Sequence, residues 1–258
     1  MSRQILLLLL FSAAVQAFIR PIYYGGGDGH DCEESTPSPT SEVTPSATSE
    51  VTPRTSYSCP NGWNLTTRTP SPFNDNSGFL CTKFISSENA ISVNAGSSLC
   101  TEQGAALTAF ENEEERQKIL EEARKYIITD LKMATGSIAI AGDRLKQCVT
   151  LNGTVLAENM KNPPCNDRKQ EYTLPASAHT NAEFLWNNWA LNEPSHNMWT
   201  YDSEDCLQMV IMPSNLDRNG KINDIYCRLD HAPNSPSDMS FMNFGAYCGK
   251  PVDIEATI

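Results

Sequence analysis

No stretch of the chain is long and apolar enough to cross a bilayer as a helix. The most apolar run, Ile5 to Phe11, falls well short of the roughly 20 residues such a span needs, so membrane insertion is not expected. Positive charge is also scarce: 19 Lys and Arg stand against 31 Asp and Glu, a formal net charge of −12 at pH 7. Phosphate backbones and anionic lipid surfaces attract the opposite sign, so neither nucleic acid nor a membrane surface is an expected partner. The four histidines, His30, His179, His196 and His231, are scattered, with no Gly-x-Ser-x-Gly, His-Glu-x-x-His or paired-acid motif. Catalysis has no support in these patterns, and the chain is not expected to be an enzyme. None of the nine cysteines sits in a Cys-x-x-Cys pair or has the histidine spacing of a zinc module.

What is present begins with Arg3, the apolar run and small residues at Val15-Gln16-Ala17, which read as a secretory signal peptide over residues 1–17. The mature protein is therefore expected to be secreted and extracellular. Nine cysteines in a secreted chain read as disulfides, although spacing alone leaves their connectivity open. Residues 18–58 are Gly-rich and then Ser/Thr/Pro-rich, with a near-repeat at Thr40–Pro45 and Thr48–Pro53. Such a segment has nothing with which to build a core, and reads as a disordered stalk, either O-glycosylated or a plain spacer.

A folded domain is expected over residues 59–251, with residues 252–258 as a tail. Strands are expected at Phe79 to Ile85 and Ser137 to Ala141, the latter ending at Gly142, and helices at Asn94 to Gln103 and Glu113 to about Ile128. In the second helix Ile119, Leu120, Ala123, Tyr126 and Ile127 recur at helical spacing. Asn112 is placed to cap it, with Glu115 completing a capping-box arrangement. Leu207 to Met212 and Lys221 to Arg228 read as paired strands joined through Asp217-Arg218-Asn219-Gly220, whose Asn-Gly is a hairpin signal. Two sequons, at Asn64 and Asn152, predict glycosylated loops.

Chemistry concentrates between Trp186 and Cys227. Glu193, Glu204, Asn223 and Asp224 offer three carboxylates and an amide, the oxygen-rich, charged set a hard cation such as Ca²⁺ takes. Pro194 stiffens the loop that presents Glu193. Of the nearby aromatics, Trp186 and Trp189 are expected in the core and Trp199 exposed. His196 reads as a loop or ligand contact.

From Cys59 to Cys248 the chain resembles the C-type lectin-like domains. Cys59-Pro-Asn-Gly-Trp63, Leu99-Cys100 with Gly104-Ala105-Ala106-Leu107, Glu113-Glu114-Glu115, Glu204-Asp205-Cys206, Asn223-Asp224 and Tyr247-Cys248 carry the resemblance in order and spacing. It implies an α+β fold, two helices packed on small antiparallel β-sheets with a long irregular loop region, stapled by disulfides. The implied pairs are Cys59–Cys81, Cys100–Cys248 and Cys206–Cys227, and with them Cys148–Cys165. Cys32 is left over, as a free thiol or as a bridge to a second copy in a homodimer. Asp143 to Glu183 is an insertion relative to the compact form of the fold, similar to longer nematode members. The resemblance also implies that Glu193, Glu204, Asn223 and Asp224 hold calcium, and that these residues with Ser195 bind sugar hydroxyls. Ser195 stands where the family has an amide. The implied function is calcium-bridged recognition of glycans or glycoproteins, with a role in innate defence. The competing readings are a calcium-independent protein-binding module of the same fold and a mucin-like structural protein.

Overall fold

The computed structural model describes residues 54–257 apart from Asn234 and Pro236. The expected signal peptide, residues 18–53 of the expected stalk, and Cys32 lie outside the described residues. In chain order the first elements are β1 (Arg54–Ser58), β2 (Asn64–Thr67), β3 (Phe79–Ile91), α1 (Val93–Glu102), β4 (Ala106–Leu107), α2 (Glu113–Arg124) and β5 (Gly136–Arg144). After them come α3 (Gly153–Asn159), β6 (Tyr172–Thr173), β7 (Met198–Trp199), β8 (Asp202–Ile211), β9 (Ile222–Tyr226), β10 (Asn243–Lys250) and β11 (Asp253–Thr257).

Local signals account for the helices. Ser92 caps α1, its Oγ accepting from the Ala95 amide at 3.1 Å, and Gly104, with φ +63°, takes the chain out past its end. In α2 the Asn112 side chain accepts from the Glu115 amide at 2.9 Å. The helix buries Ile119, Leu120 and Ala123, then continues as a π-turn, Lys125–Asp130, that buries Ile127. Glu115 does not complete a capping box. Its Oε1 meets Arg68 at 2.5 Å and the Tyr247 hydroxyl at 2.7 Å, while its Oε2 accepts from the Glu111 amide at 2.9 Å. Burial with a counter-charge has replaced a solvent-side cap.

One branching sheet runs β2-β3-β10-β5-β8-β7, with β4 on β10, β6 on β5 and β9 on β8. Where antiparallel sheets were expected, the β5–β10 ladder is parallel, with Asn243 opposite Ser137 and Ala246 opposite Ala139. Parallel neighbours need a long crossover, and everything from α3 to β9 lies between these two strands in sequence. β5 does not end at Gly142 either. The register with β8 shifts between Ile140 and Asp143, and Gly142 sits there at φ +149°, where a Cβ would meet the Leu207 side chain at 2.2 Å. This glycine bulge re-aims Asp143 and Arg144 towards Cys206 and Tyr172.

The domain boundaries shift as well. Residues 54–58, assigned to the stalk from sequence, form β1, which pairs antiparallel with β11 from the expected tail. Each short strand supplies the other's missing hydrogen bonds, which neither segment could do alone. The insertion contains α3 and β6. Four disulfides staple the domain: Cys59–Cys81, Cys100–Cys248, Cys148–Cys165 and Cys206–Cys227. Among the described residues no helix is long and apolar enough to cross a membrane.

Candidate functional site

Three backbone segments meet at the edge formed by β8 and β9. The Cys206–Cys227 bridge ties the two strands, whose register places Glu204 opposite Tyr226 and Leu207 opposite Asp224. The Leu191–Asn197 segment, with Glu193–Pro194 in the cis form, lies against them. The connection from β8 to β9, Met212 to Lys221, completes the group. It is a broad loop, not a tight Asn-Gly hairpin, since Gly220 but not Asn219 has positive φ. Together they enclose a cavity of about 190 Å³ lined by Glu193, Ser195, Glu204, Arg218, Asn223 and Tyr226, with Phe241 among its apolar walls.

Each acid has a distinct set of partners. Asp224 is fully buried. Its Oδ1 accepts from the Ser195 amide at 3.0 Å and its Oδ2 from the His196 amide at 2.8 Å and the Tyr172 hydroxyl at 3.3 Å. Burial, and then the Glu204 carboxylate beside it, push the Asp224 carboxyl up to about 7. Glu204 accepts through Oε2 from the Ser195 hydroxyl and the Asn197 amide, both at 2.9 Å, and burial raises its pKa too. These bonds strap the Ser195–Asn197 turn onto β8 and β9. Ser195 is thereby an exposed loop strap. Glu193, whose side chain is 7% exposed, pairs through Oε1 with the Arg218 guanidinium. The same Arg218 Nη2 donates to Asn223 Oδ1 at 3.0 Å. Glu193 Oε2 and Arg218 Nε are buried and make no hydrogen bond within the protein.

The chain has relatives among known proteins. A family model described as C-type lectin domain-containing protein 141/158 matches residues 65–251. The chain belongs to that family. C-type lectin domain-containing protein 141 of Caenorhabditis elegans is 34% identical over 204 residues, covering 74% of this chain and 65% of its own length. Protein 158 of the same organism is 33% identical over 192 residues, covering 74% of this chain and 88% of its own length. Among solved structures, the calcium-independent type II antifreeze protein matches at 16% identity with a TM-score of 0.41, over 77% of this chain and 98% of that one. The cow CD23 carbohydrate-recognition domain, in the presence of a GlcNAc2Man3 oligosaccharide, matches at 15% with a TM-score of 0.42, over 76% and 98%. At this level of similarity neither bears on what this chain binds.

In this member of the C-type lectin domain-containing protein 141/158 family, the expected calcium ligands share one neighbourhood, with the Arg218 guanidinium between Glu193 and Asn223. Glu193, Glu204 and Asn223 line the cavity, but both Asp224 oxygens face amides of the loop. Among the described residues no group of three or more His, Cys, Asp or Glu side chains is arranged to hold a metal ion. The donor types suit calcium; their placement, with a guanidinium between two of them, does not.

Sequence reasoning missed Arg218, which it left in a hairpin turn. The one signal was a basic residue in the connection between two acid-bearing strands. It also missed Glu171, which is 1% exposed and lies 2.8 Å from His196 Nε2, making His196 the loop contact expected of it. Trp186 and Trp189 are buried in the core as expected. Trp199 is half-buried and packs edge-on against Tyr201, so the exposed aromatic there is Tyr201, at 69%. Of the two sequon asparagines expected in loops, Asn152 holds a loop position and Asn64 does not. Asn64 opens β2 and its amide donates to Glu122 at 3.1 Å, whereas Asn152 is exposed and caps α3 with its carbonyl oxygen.

Proposed function

We propose that the domain recognises carbohydrate outside the cell, on glycans or glycoproteins, through the cavity at the β8–β9 edge. The observation that carries this is a matched pair of unsatisfied atoms on its lining side chains: the Glu193 Oε2 acceptor and the Arg218 Nε donor. An unpaired buried polar atom costs roughly 1–3 kcal/mol. A hydroxyl both donates and accepts, so a saccharide offers what each atom lacks, while Tyr226 and Phe241 offer apolar faces to a sugar ring. The test is glycan-array screening of the secreted protein, followed by calorimetry on any sugar that binds. Glu193→Gln should weaken that binding by tenfold or more, about 1.4 kcal/mol. Absence of any glycan ligand, or a ligand indifferent to Glu193→Gln, would refute this reading.

A second reading, a protein-binding module, has one observation in its favour. Leu191 and Leu216 are 58% and 81% exposed, and their segments are joined by a hydrogen bond from the Leu191 amide to the Asp217 carbonyl at 3.3 Å. Large apolar side chains brought together on a rim suit protein contact. Leu216→Asp should abolish protein capture while leaving glycan binding intact.

A further inference from the structure

We infer that Arg218 is a built-in cation that holds the place of a metal ion in this site, so that the site assembles without calcium. The loop that carries it is braced from several sides. The Asn219 side chain accepts from the Met212 amide at 2.9 Å, the Gly220 amide donates to Val210 O at 2.8 Å, and Arg116 Nη1 donates to Gly220 O at 2.9 Å. Arg218 is thus presented from a fixed backbone. Its Nη2 lies between Glu193 and Asn223, two of the four side chains that would hold an ion, and its guanidinium sits 5.3 Å from the centre of the Phe241 ring.

The physical consequence follows from what each cation can do. A guanidinium is always charged and carries five donors in a plane. One such group neutralises Glu193 and satisfies the Asn223 carbonyl oxygen together. The remaining two acids are satisfied by the Ser195, His196 and Asn197 amides and the Ser195 hydroxyl. A calcium ion needs 6–8 oxygens. To obtain Glu193 and Asn223 it would have to expel Arg218, a like charge, from its pair and from the aromatic ring beneath it. This inference concerns the same cavity as the glycan reading, but its readout needs no glycan, so either can fail alone.

The test compares the secreted protein in millimolar calcium and in excess EDTA, by melting temperature and by terbium luminescence. The wild type should melt at one temperature in both and show no sensitised terbium signal. Arg218→Gln vacates the place and leaves the acids, so it should melt several degrees lower in EDTA and regain stability as calcium is added. It should also acquire a terbium signal that a second change, Glu193→Gln, removes. Arg218→Lys keeps a cation and should stay folded and indifferent to calcium. A wild-type melting point that rises with calcium in a Glu193-dependent way would overturn the inference. So would Arg218→Gln that stays indifferent to calcium, whether folded or unfolded, or Arg218→Lys that behaves like Arg218→Gln.

Discussion

Replacing Arg68 with alanine should destabilise the domain more than almost any other single polar substitution. Arg68 leaves the end of β2 and reaches inward, with a side chain that is 0% exposed. Its guanidinium donates to His179 O and Ala109 O at 2.7 Å each, to Thr180 Oγ1 at 3.1 Å and to Glu115 Oε1 at 2.5 Å, with Glu111 at 3.6 Å. Truncation would strand the Glu115 carboxylate, 2% exposed, with only the Tyr247 hydroxyl and the Glu111 amide. Removing one partner of a buried pair costs about 3–5 kcal/mol. That is a large share of the roughly 5–15 kcal/mol a domain possesses. At about 2–4 °C per kcal/mol for a domain of this size, the melting point should fall by roughly 6–20 °C. The assay is calorimetry or circular dichroism with disulfides intact. The double change Arg68→Met with Glu115→Leu removes both charges and should recover much of the loss, as replacement of a whole pair by apolar groups often does. Because Arg68 also holds the His179 carbonyl and the Thr180 hydroxyl, at the entry to the long site loop, Arg68→Ala should weaken ligand binding along with stability. An Arg68→Ala protein that melts within about 2 °C of wild type would refute the claim that this pair is buried and charged.

Asp224 predicts a pH dependence opposite to that of an ordinary paired carboxylate. Its folded pKa is raised to about 7, against about 3.9 in an unfolded chain. In that window the folded chain holds the extra proton, so stability falls as pH climbs from about 4 to about 7. Melting points measured across it should decline less steeply in Asp224→Asn, with the residual slope shared by Glu204; equal slopes in the two proteins would remove Asp224 from the account. At the sequons, glycan should be found on Asn152, whose amide nitrogen is free while its oxygen caps α3. Thr154→Ala should delete that mass and keep the cap, and a glycan mapped only to Asn64 would contradict the exposure argument.

Local pattern was enough for the parts of the molecule that rest on local physics. The spacing of Ile119, Leu120 and Ala123 and the cap at Asn112 specify α2, because a helix closes its own hydrogen bonds within four residues. The order of the cysteines carries the staple framework once a resemblance supplies the pairing. The types of side chain in the site were readable too: three acids and an amide between Glu193 and Asp224.

What the acids face was decided by tertiary structure alone. Nothing near Arg218 in sequence says that its guanidinium meets Glu193, 25 residues away, or that Asp224 turns to the amides of Ser195 and His196. Those contacts exist only after β8 and β9 pair and the loop is strapped across them. The same holds for Glu115, whose residue type and position read as a surface cap until Arg68 and Tyr247 arrive from elements far along the chain. It holds for β1 and β11, which are a stalk end and a tail until each finds the other. A charge's role depends on what lies within a few ångströms of it once buried, and the fold alone sets that distance.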